Sequence, residues 1–124
     1  MSQHIFIKKK ALKKESCKKI VDEINNLEDY KSLYKQRKNY YCGTSVNVYE
    51  QFWSKNLFNC ILKYKNKHKF LDNKNHAGWI VNPECNYQKY KPNQYYMSEH
   101  CEQSGEEIES KRMLVWMIYC NTIK

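Results

Sequence analysis

His100 and Glu102 stand one residue apart at the end of YKPNQYYMSEHCE, residues 90–102. In an extended segment successive side chains point to opposite faces, so these two share a face. An imidazole nitrogen beside a carboxylate oxygen supplies two-thirds of a mononuclear metal site. The rest of the chain must hold this pair in place and find a third ligand.

The chain has 124 residues with no Pro- or Gly-rich linker, which predicts a single domain over 1–124. Only 3 Gly and 2 Pro are present, too few for an all-β chain rich in tight turns, so helices must account for part of it. Net charge is +9, which suits an anionic partner such as nucleic acid. Yet Arg37 and Arg112 are the only arginines among 22 basic residues, and Asn, Tyr and Ile are also abundant. These are amino acids of AT-rich codons, whereas phosphate and base readout favours the bidentate guanidinium. The charge is therefore weak evidence for nucleic acid.

Cysteines at 17, 42, 60, 85, 101 and 120 form no close pair. The start, MSQHIFIKKK, has too short an apolar run for a signal peptide, and no segment reaches transmembrane length. A soluble, cytoplasmic, thiol-reduced protein without a membrane partner is expected.

HIFI (4–7) is a short strand candidate before a lysine run. Leu12, Cys17, Ile20, Val21, Ile24 and Leu27 recur at helical spacing and predict an amphipathic helix over about 13–28. Residues 29–43 read as an irregular loop and TSVNVY (44–49) as a strand. Phe52, Trp53, Leu57, Cys60, Ile61 and Tyr64 mark a second helix over about 50–66, their stripe being core. After Gly78, WIVNPECNYQKY and QYYMSEHCE look like strands joined by a turn at Lys91-Pro92-Asn93-Gln94, where Asn supplies the left-handed residue. QSGEEIESK (103–111) is a polar loop, and MLVWMIYC (113–120) reads as a strand buried on both faces.

An H-x-E pair alone is a weak signal. Here it sits in a context: Tyr90 ten residues before the histidine, Arg112 opening the apolar strand, and Tyr119-Cys120-Asn121 closing it. That pattern resembles the prolyl-hydroxylase-like branch of the Fe(II)/2-oxoglutarate dioxygenases, in wording closest to bacterial and phage members. The resemblance is strong over 79–121 and loose over 1–78. It implies an α+β fold in which a helical support region (1–78) packs on the first strands (79–124) of a double-stranded β-helix, or jelly roll.

The resemblance further implies that His100 and Glu102 ligate Fe(II), and that Tyr90 and Tyr119 line the pocket for the co-substrate 2-oxoglutarate, with ascorbate as an auxiliary reductant. A two-His, one-carboxylate triad leaves three metal positions open for co-substrate and O2. The substrate would be a prolyl or other protein residue, or a small molecule, in a bacterial or phage-infected cytoplasm.

Glu102 replaces the commoner Asp and Asn93 the commoner Gly. The larger departure is that the family's second histidine and its cationic co-substrate partner lie on later strands, and His4, His68 and His76 match neither. The chain therefore reads as the front half of a barrel, truncated or split, with little activity alone. A dimer or a partner chain supplying the missing strands is expected.

Two other readings stand beside this one. Aromatics interleaved with Lys, as in NYQKYKPNQYY, suit a non-enzymatic module that stacks single-stranded bases. A structural zinc site ranks last, because paired ligand spacing is lacking.

Overall fold

The computed structural model describes residues 4–26, 41–72, 78, 80–90, 92–93, 101–103, 105, 107 and 111–122. Within them the chain is a mixed α+β domain of two helices and a two-stranded antiparallel sheet. Helix α1 spans Lys14–Asn26 and helix α2 spans Ser54–Lys67, close to the ranges that the apolar periodicity predicts. Strand β1 (Tyr41–Asn47) pairs with strand β2 (Glu84–Lys89).

Each helix buries one apolar position fully, Ile20 on α1 and Leu57 on α2, and half-buries neighbours a turn away, Ile24 and Ile61. Polar residues cover the opposite faces. On α1 the exposed pair Lys18–Asp22, at 2.6 Å, is of a kind that adds only a few tenths of a kcal/mol. Phe52, expected in the core, is instead 43% exposed, and the Lys19 ammonium lies 4.3 Å from its ring centroid. Its neighbour Trp53 takes the interior position as the chain enters α2.

The sheet pairs one strand from each region, whereas the resemblance places the first barrel strands within 79–124. β1 begins at Tyr41, inside the stretch read as a loop, and ends at Asn47 rather than continuing to 49. Asn47 there accepts a hydrogen bond from the Tyr49 N–H, turning the chain into a 3-10 helix over Val48–Glu50. Between the partners Cys42↔Gln88 and Ser45↔Asn86, β1 spends two residues (Gly43, Thr44) against one (Tyr87) on β2. This is a bulge, and it bends β1 where Tyr87 enters the core. HIFI forms no strand; Ile5, Phe6 and Ile7 are exposed beside the lysine run.

The core joins both helices to β2 through Ile20, Val48, Trp53, Leu57 and Tyr87. Inside it the Trp53 indole N–H donates to the Tyr87 hydroxyl at 2.9 Å, and that hydroxyl donates to Gln51 Oε1 at 3.2 Å. Both polar groups therefore enter the interior already paired. Cys85 and Cys120 pack against this cluster, and burial pushes each thiol up to about 11, so both remain protonated at neutral pH.

MLVWMIYC is not buried on both faces. From Arg112 to Cys120 the even-numbered residues are half-buried and the odd-numbered ones exposed, the period of an extended segment covered on one side. Trp116, Ile118 and Cys120 pack on the core, the Trp116 ring 5.9 Å from that of Trp53. No other layer covers Met113, Val115, Met117 and Tyr119 among the described residues. A continuous apolar run cannot by itself distinguish these two situations.

Pro92 and Asn93 form a turn, and Asn93 has φ 66°, the left-handed conformation expected there. Ala at that position should lower stability by about 1–2 kcal/mol, whereas Asn93→Gly should be nearly neutral. Urea unfolding midpoints of the two variants measure the difference.

Candidate metal centre

Glu102 lies between β2 and the apolar segment 113–120, and its backbone and side chain both engage Arg112. The Arg112 Nη1 donates to the Glu102 carbonyl at 3.0 Å and lies 3.3 Å from carboxylate Oε2. Both side chains are about two-thirds covered, at 32% and 38% exposure, so solvent screens the pair only partly. The contact fixes the second residue of the His-x-Glu pair to the head of the apolar segment. Gln103 reinforces it, its amide donating to the Arg112 carbonyl at 2.7 Å.

His100 lies outside the described residues, as do 94–99 of the strand read over QYYMSEHCE. Residues 101–103 carry no strand assignment. Cys101, between the two residues of the pair, is exposed, and its thiol donates to the Gln103 carbonyl at 2.9 Å. The local turn that follows, rather than a continuing strand, accounts for this.

Tyr90 and Tyr119 are both exposed, and each belongs to a face turned away from the helices. On β2, Tyr87 enters the core and the Lys89 ammonium reaches Asn25 of α1 at 2.5 Å, so the alternate residues Gln88 and Tyr90 face outward. The Tyr90 hydroxyl accordingly donates to Gln88 Oε1 at 3.0 Å. Tyr119 lies on the outward face of the apolar segment, its hydroxyl 3.3 Å from Met117 Sδ.

The donor chemistry of Glu102 fits a hard divalent cation. It is a carboxylate partly open to solvent and oriented by a hydrogen bond from a neighbouring side chain, which is how ligating carboxylates are commonly held. Among the described residues no group of three or more His, Cys, Asp and Glu side chains is placed to hold a metal ion.

Two histidines outside the resemblance do meet. His4 and His68 stack with ring centroids 6.2 Å apart, beside Tyr64, whose ring lies 4.3 Å from that of His68. The Tyr64 hydroxyl donates to the His4 carbonyl at 3.0 Å, and His68 Nε2 is buried without a hydrogen-bond partner. Their separation of 64 positions hid this cluster from the sequence. The Glu102–Arg112 pair was also missed, although the planar fork of a guanidinium is suited to a carboxylate partner.

No protein-family model, curated protein or solved structure matches the chain. Among the described residues no helix is long and apolar enough to cross a membrane.

Proposed function

We propose that the chain is a domain of the Fe(II)/2-oxoglutarate oxygenase type, with α1 and α2 supporting the first strands of a jelly roll. His100 and Glu102 would hold the metal, and Tyr90 and Tyr119 would flank the co-substrate. Bound there, Fe(II) and 2-oxoglutarate would supply the activation of O2 for oxidation of a substrate C–H bond. That substrate is a protein residue or a small molecule of the cytoplasm. The observation that carries the reading is the Glu102–Arg112 contact. It joins the two stretches that the resemblance makes neighbours, the His-x-Glu pair and the arginine opening the next apolar segment. The outward placement of both tyrosines supports it further.

The same residues supply two of three expected metal ligands and no cation matched to the far carboxylate of 2-oxoglutarate. A missing charge-assisted contact of that kind costs roughly 1.5–3 kcal/mol, about ten- to a hundredfold in affinity. The 124-residue chain should therefore convert 2-oxoglutarate to succinate barely above background with Fe(II), ascorbate and O2. Fe(II) binding by equilibrium dialysis should be weak yet reduced at least tenfold by His100→Ala. Robust turnover that the mutation abolishes would refute the low activity and support the site. Equal Fe(II) binding by both proteins would remove the site.

One observation favours a non-enzymatic reading. Lys8, Lys9, Lys10, Lys13 and Lys14 are all exposed around the start of α1. A single-strand-binding module built on them would bind oligonucleotides without metal and lose affinity steeply with salt. Fluorescence anisotropy at two salt concentrations separates that behaviour from the oxygenase reading.

A further inference from the structure

The segment 113–120 alternates in burial like a strand but, among the described residues, belongs to no sheet. Its inner residues are anchored on the core, yet among the described residues no backbone N–H or C=O of these eight positions makes a hydrogen bond. The outer side chains Met113, Val115, Met117 and Tyr119 are 50%, 56%, 67% and 81% exposed. A half-buried strand with open backbone rows and an uncovered apolar face is a template for another strand.

We propose that this other strand is the same segment of a second copy, paired antiparallel about a two-fold axis at Trp116. The pattern of the segment is self-complementary in that register. Residue 113 falls opposite 119, and 115 opposite 117, so outward side chains meet outward side chains and the core-facing residues keep their contacts. Each contact made by one copy is repeated by the other, which closes the assembly at two.

Charge selects the same surface. The chain carries a net +9, so two copies repel across most faces, but 113–120 contains no charged residue. The basic residues at its head are each matched by a carboxylate, Arg112 with Glu102 at 3.3 Å and Lys111 with Glu107 at 3.4 Å. In the proposed register Arg112 faces Cys120 and Lys111 faces Asn121, so no like charges are opposed.

Sedimentation equilibrium of the full chain tests this, with Val115→Lys/Met117→Lys as the comparison. Both substitutions lie on the outward face, leave Trp116 and Ile118 in place, and set cations opposite one another across the two-fold axis. The wild type should reach twice the monomer mass at tens of micromolar. The variant should stay monomeric at tenfold higher concentration with an unchanged far-ultraviolet circular dichroism spectrum. Hydrogen exchange adds a direct readout, since amides of 113–120 should slow as the wild-type concentration rises. A wild-type monomer at high concentration, open-ended aggregation, a dimer indifferent to the two lysines, or exchange in 113–120 independent of concentration would each overturn the proposal.

Discussion

Trp53→Ala should lower the unfolding free energy by about 3–5 kcal/mol, the range for removing a large buried aromatic side chain. Against a typical total of about 5–15 kcal/mol, that leaves a domain close to unfolding. Trp53 is 2% exposed and touches every part of the fold that meets at the core. It enters α2, packs in one cluster with Ile20 of α1, hydrogen-bonds Tyr87 on β2, and lies against Trp116. No neighbour can fill its space without giving up its own contacts. Urea unfolding followed by circular dichroism measures the loss. A decrease below about 1 kcal/mol would mean that the core does not close around this residue.

Tyr87→Phe should cost about 1–3 kcal/mol although it removes a single oxygen. The deletion leaves the Trp53 indole N–H without its acceptor, and Gln51 Oε1 without its donor. Trp53→Phe removes the donor of the first of these bonds. In the double variant the orphaned N–H is gone, so its stability should exceed the sum expected from the two single changes. That non-additivity is the signature of a shared hydrogen bond rather than of lost packing.

These two residues also show where sequence reading stops. Both helices were legible, because Cys17, Ile20 and Ile24, then Leu57, Ile61 and Tyr64, repeat with the helical period. The left-handed Asn93 was legible from its place after Pro92. β1 was legible only in part, since Tyr41-Cys42-Gly43 has no alternation to separate it from the polar run before it. Its pairing with β2, and the Trp53–Tyr87 bond across 34 positions, depend on the fold closing and leave no local mark. The apolar run 113–120 announced a strand but not the side on which it would be left bare. At the candidate site, residue types and spacing singled out His100, Glu102, Tyr90 and Tyr119. The guanidinium that orients Glu102 emerged only when residues ten apart were brought together.

The proposed metal site is open to paramagnetic NMR with Mn(II) as the probe, added to the isotopically labelled full chain with and without 2-oxoglutarate. Mn(II) takes the oxygen and imidazole ligands expected here and broadens nearby amide signals even when it exchanges rapidly. Selective broadening around 100–102, extending to Tyr90 and Tyr119 and abolished by His100→Ala, is the expected result. Broadening centred elsewhere, or the same broadening in His100→Ala, would contradict a metal centre at His100 and Glu102.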